Sequence, residues 1–172
     1  MKKSLSLLLA CALLVFAMPC AMADGTTTLT TTVPASATYT LNIPADQAIA
    51  YGATRTDIGS LTVSNSSGFA VGKNLDVTIT YGDFISEDVD TTIPMKLYGH
   101  TPNSDSDCEL PSGCNLTFKG NSSGILSDKP IDYQTHFISG LNIRINSADW
   151  GKALGGDYTS TITFSAKVVV EE

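Results

Sequence analysis

The chain has 172 residues, with 10 Lys+Arg against 17 Asp+Glu, a formal net charge of −7 and 42% hydrophobic residues. That length suits one domain of ordinary size. The acidic balance excludes nucleic-acid binding through phosphates, which needs a basic face, and it opposes contact with anionic membranes.

The first element is a leader. Lys2 and Lys3 precede an apolar run from Leu7 to Met18, Pro19 breaks the run, and Ala21-Met22-Ala23 follows. This is the pattern of a secretory signal peptide over residues 1–23, with cleavage expected before Asp24. The run is shorter than the roughly 20 residues of a spanning helix, so no membrane insertion is expected after cleavage. Cys20 follows Pro19, and apolar residues continue straight after Cys11, so simple export is preferred over a lipid anchor. The expected location is extracellular, at the cell surface, or periplasmic. Loss of Lys2 and Lys3 leaves eight basic residues against 17 acidic ones, a mature charge of −9.

Residues 24–172 read as a single β-sandwich domain. Thr26 to Val33 is a weak strand whose apolar residues, Leu29 and Val33, share one side. Such a segment can pair along its own domain's edge or along a neighbour's, and its small apolar content favours its own. Period-two alternation then dominates. Ala37, Tyr39, Leu41 and Ile43 share a face, as do Leu61 and Val63, then Leu75, Val77, Ile79 and Tyr81, then Ile93, Met95 and Leu97. Leu116 with Phe118 and Leu141, Ile143 with Ile145 continue the series, and Tyr158 to Val170 closes it. Turn signals such as "SNSSGF", "YGDF", "KGNSSG" and "LGGD" separate these runs. Seven or more half-apolar strands must bury their faces on each other, which predicts an all-β, antiparallel, immunoglobulin-like β-sandwich, with a barrel as the alternative.

"CELPSGC" holds Cys108 and Cys114, the only cysteines after the leader. In an exported protein an even pair reads as a disulfide. Zinc would want four ligands, with only His100 and His136 as nitrogen donors, and a redox pair normally reads C-x-x-C. The closed loop is short, so its loss should cost only about 2 kcal/mol. Intact mass before and after reduction should differ by two hydrogens, and Cys108→Ser with Cys114→Ser should lower stability by about that amount; free thiols in the native exported protein would contradict the pairing.

Other chemistry is sparse. "GNSSG" around Ser122 matches the hydrolase elbow formally, but no helical period follows it, and Asn-Ser-Ser-Gly recurs at Asn65 to Gly68 as a turn. Asp105, Asp107 and Glu109, with Asn103, alternate toward the cysteine loop and are weak calcium candidates, although Cys108 and Cys114 stand where an EF-hand needs Gly and Glu. Asp83, Glu87, Asp88 and Asp90 form a second acidic loop. Asn65, Asn115 and Asn121 open sequons of chance type. No catalytic activity and no cofactor are expected.

"WGKALGGDYTSTITFSAKVVV" carries a Gly-x-Tyr opening into a terminal strand. Over residues 150–170 this resembles bacterial surface and pilus-subunit-like β-sandwich domains, including spore-coat-U-like ones. The resemblance implies an exported structural or adhesion protein, fimbrial-like, whose partners are other protein subunits or a host or cell-surface ligand. The mid-chain cysteine pair and the "VVVEE" end depart from chaperone-assembled pilus subunits. The alternative is a secreted monomeric module that binds a glycan or other ligand.

Overall fold

The computed structural model describes residues 37–102 and 107–171, which lie within one compact unit, Pro34–Glu172. The leader, the Thr26–Val33 segment and Asp105 lie outside the described residues. Eleven strands are described: β1 Thr38–Asn42, β2 Arg55–Gly59, β3 Thr62–Ser67, β4 Lys73–Tyr81, β5 Phe84–Ile85, β6 Thr92–Ile93, β7 Lys96–His100, β8 Cys108–Leu110, β9 Cys114–Phe118, β10 Gly140–Arg144 and β11 Ile162–Val170. One short helix, α1, spans Ser147–Trp150. The fold is all-β, and every strand pairing is antiparallel.

A four-stranded sheet runs in the order β2-β10-β7-β8, a three-stranded sheet runs β11-β4-β9, and β1-β3 and β5-β6 are separate pairs. Alternation decides which side chains go inward. On β4, Leu75, Val77 and Ile79 are fully buried, and opposite them on β9 lie the fully buried Leu116 and Phe118. Asp76 and Thr78 take the other face, where Thr117 Oγ1 donates to Asp76 Oδ1 at 2.6 Å and Thr78 Oγ1 donates to Asn115 Oδ1 at 2.6 Å. In the four-stranded sheet Ile58, Leu97, Leu110, Leu141 and Ile143 point inward, and they join the β4 and β9 residues in one apolar cluster. Each such side chain contributes about 1.5–3 kcal/mol by leaving water. Tyr81 ties the two sheets together: its hydroxyl donates to the Leu110 carbonyl at 2.8 Å and accepts from the Leu97 amide at 3.4 Å.

Several features differ from the sequence reading. Asn65 to Ser67, read as part of a turn, lie in β3 across an irregularity in its pairing with β1, and Phe84, read in the "YGDF" turn, opens β5. β2 and β8 are additional strands; each is short and contributes a single buried apolar residue, Ile58 and Leu110. Phe69, placed in a turn by its Ser/Gly neighbours, is fully buried. The last strand begins at Ile162, not Tyr158. Thr159 bridges to Ile85, and Ser160 Oγ donates to the Gly82 carbonyl, so residues 158–160 belong to a different pairing from β11.

Candidate functional site

Asp107 and Cys108 are neighbours that serve opposite faces of the four-stranded sheet. Cys108 pairs with Gly99 in the same inward phase as Leu110 with Leu97, so Asp107 points outward. Its side chain is only 2% exposed, because basic and polar groups from three strands close over it. Arg55 Nη1 donates to Oδ2 at 2.6 Å, Asn142 Nδ2 donates at 3.0 Å, Arg144 Nη2 also donates, and His100 Nδ1 lies 3.0 Å from Oδ1. Arg144 further stacks over the Tyr98 ring at 4.1 Å. Burial would raise the Asp107 pKa, but hydrogen bonds from His100, Arg144 and Asn142 and the Arg55 charge outweigh it and hold the carboxyl below its ordinary range. Calcium at Asp107 is therefore corrected: a cation would have to displace two guanidinium groups. Glu109 is likewise occupied, by Lys96 Nζ at 3.0 Å and the Tyr98 hydroxyl at 3.1 Å.

On the inner side, the disulfide expected between Cys108 and Cys114 is not formed in this structure: both are free thiols, half-buried against the core. Cys114 pairs with Ile79 and faces inward from β9, while Cys108 faces inward from β8 in the other sheet. The turn Pro111–Gly113 carries the chain between them, closed by a Cys114 amide to Pro111 carbonyl bond of 3.0 Å. Gly99 opposite Cys108 has no side chain; a Cβ there would lie 3.3 Å from the Cys108 sulfur. Asp132 and His136 meet Cys108, and the three ligand atoms lie within 4.8 Å of one another. Burial, and then the Asp132 carboxylate, push the Cys108 thiol up to about 11, so it is no nucleophile at neutral pH.

The third feature is an open edge. Among the described residues β11 is paired on one side only, with β4. The Glu171 amide donates to the Gly72 carbonyl, and this phase runs up the ladder. The amides and carbonyls of Ile162, Phe164, Ala166, Val168 and Val170 therefore point away from β4. Their side chains take the core-facing phase, yet Ile162, Phe164 and Val168 are only half-buried and Val170 is 69% exposed. A gap of about 270 Å³ opens beside Ile162 and Phe164, lined also by Ile43, Ile49, Ile58 and Met95.

The fourth is an aromatic cleft of about 600 Å³ lined by Tyr51, Phe84, Trp150, Leu154 and Tyr158. Trp150 is partly buried at the end of α1, and its Nε1 donates to the Ala53 carbonyl at 2.9 Å. Tyr51, 79% exposed, meets it edge-on at 5.4 Å between centroids. Trp150 emission is expected to be blue-shifted and poorly quenched by iodide; red, readily quenched emission would contradict this placement.

Ser122 sits in a turn closed by the Gly124 amide on the Asn121 carbonyl, remote in sequence from His100 and His136 and bonded to neither. Asn121 Oδ1 accepts from the Ser123 and Ile125 amides, and Asn115 Oδ1 is taken by Thr78, so both side chains serve the fold. Sequence reasoning missed Arg55, Arg144, Asn142 and Asp132. The one available signal was the four-residue spacing of Asp132 and His136. No protein family, curated protein or solved structure matches the chain.

Proposed function

We propose that the chain is an exported bacterial surface structural protein, fimbrial subunit-like and without catalytic activity, built as an immunoglobulin-like sandwich of the two larger sheets. The observation that carries this reading is the open edge of β11: nine residues long, unpaired on its outer side among the described residues, and flanked by incompletely covered apolar side chains. An edge of that length is an aggregation hazard unless something pairs with it. A strand from a second copy would satisfy its outward amides and carbonyls and cover Ile162, Phe164 and Val168. A head-to-tail contact of this kind need not close, and it propagates into a chain of subunits. The acidic, export-directed sequence and the likeness of residues 150–170 to surface β-sandwich domains support the same reading.

A second reading, a secreted monomeric module for a glycan or similar ligand, is favoured by the cleft in which exposed Tyr51 stands against Trp150. Sizing of the exported protein under native conditions separates the two. Assemblies larger than a monomer support the structural reading. A strict monomer whose Trp150 emission responds to soluble oligosaccharides supports the module.

A further inference from the structure

We propose that Cys108, Asp132 and His136 form a binding site for a zinc-like divalent ion in the dithiol form of the protein. Three donors of different chemistry converge there: a thiol sulfur, a carboxylate oxygen and an imidazole nitrogen, all within 4.8 Å of one another. Donors held at about 2.0–2.3 Å around one tetrahedral ion stand roughly 3.3–3.8 Å apart, so atoms this close need only a small side-chain adjustment to share one. The donor set selects the metal. Sulfur with imidazole suits zinc and similar borderline-soft ions and does not suit calcium or magnesium, which take oxygen.

The carboxylate is prepared for the task. The Asp132 side chain is 1% exposed, and its Oδ1 accepts from the Gln134 amide at 2.9 Å and the His136 amide at 2.8 Å. Oδ2 is left facing His136 Nδ1 at 3.2 Å. One oxygen is thus fixed by backbone while the other is presented to the imidazole and to Cys108, the usual outer-sphere arrangement around a ligating carboxylate. The backbone bends to allow it: Thr135, a β-branched residue, sits in the left-handed region at φ 66°, which returns His136 over Asp132.

Access and charge fit as well. His136 is exposed at the mouth, Asp132 is buried at the base, and Cys108 is intermediate, which leaves an entry path from solvent. Binding releases the thiol proton to water and forms a sulfur–metal bond, so thiolate and carboxylate together match the charge of one divalent ion. The fourth position falls to water. A disulfide between Cys108 and Cys114 would remove the sulfur donor, so metal and disulfide exclude each other.

Titration of the reduced full-length mature protein with cobalt(II), which reports thiolate ligation by a charge-transfer absorption, tests the site. One equivalent should give that absorption in the wild type and in Cys114→Ser. Cys108→Ser should abolish it, and His136→Ala should weaken binding by at least about tenfold. Thermal unfolding without metal checks that each variant folds, and zinc should raise the midpoint of the wild type but not of Cys108→Ser. Absence of the absorption in the reduced wild type at equimolar cobalt, its survival in Cys108→Ser, or its loss in folded Cys114→Ser would overturn the proposal.

Discussion

Gly120→Ala is expected to lower stability by about 3–5 kcal/mol, a loss of roughly 10 °C in melting temperature. Gly120 follows β9 in the turn "KGNSSG", where a Cβ would lie 2.2 Å from the Lys73 carbonyl oxygen, 2.5 Å from that of Ala70 and 2.9 Å from that of Phe69. All three are backbone atoms, so no side chain can swing aside. The site is also a knot of hydrogen bonds. The Gly120 amide donates to Asn74 Oδ1 at 3.1 Å, and Asn74, only 1% exposed, donates onward to Glu171 Oε1 at 2.8 Å, which Lys119 Nζ also contacts. Pushing Gly120 away would leave buried Asn74 partly unsatisfied and loosen the end of β11. Gly155→Ala is the control, since nothing lies within 4 Å of a Cβ there and its effect should stay within about 0.5 kcal/mol. Thermal unfolding followed by circular dichroism compares the two; equal midpoints would contradict the close approach at Gly120.

Asp107→Ala should cost about 2–3 kcal/mol. The arginines are 45% and 38% exposed, so water can take up their freed donors, but they would repel each other across the vacated site. Asn142 is fully buried and would lose its acceptor without rehydration. The pH dependence follows from the same contacts. The folded-state pKa of Asp107 lies below its unfolded value near 3.9, so its contribution is complete above about pH 4 and is lost as pH falls through the lower folded value. Urea unfolding from pH 7 downward should show an acid loss in the wild type that is shallower in Asp107→Ala. An unchanged acid limb would mean that the carboxylate is not held by this network.

The strands whose alternation was strict were legible from sequence because one buried face forces the pattern. Leu75, Val77 and Ile79 on β4 and Leu97 on β7 sit where period two places them. β2 and β8 were not legible: each is short and buries a single fully apolar residue, Ile58 or Leu110, too little to set up a visible alternation. Asp107 illustrates the limit for the site. Its place in an acidic alternation suggested oxygen ligation, whereas its actual partners, Arg55 and Arg144, stand 52 and 37 residues away. Only the order β2-β10-β7-β8 brings them together, and strand order is not written in local pattern. His136 looked solitary for a related reason: a left-handed Thr135, not a helix, brings it back to Asp132.

The central claim, that the outer edge of β11 is where subunits join, is tested most directly by Ala166→Pro. Ala166 lies in the phase whose amide points away from β4, so proline there removes no bond of the β4 ladder and is tolerated as on other sheet edges, at about 1 kcal/mol. It does remove a donor that an added strand needs, and its ring obstructs that strand's approach. Analytical ultracentrifugation of the mature wild type and the variant, with circular dichroism to verify the fold of both, reads the outcome. The account predicts concentration-dependent higher assemblies for the wild type and a folded monomer for Ala166→Pro. A wild type that stays monomeric at high concentration, or a folded variant that assembles as well as the wild type, would contradict it.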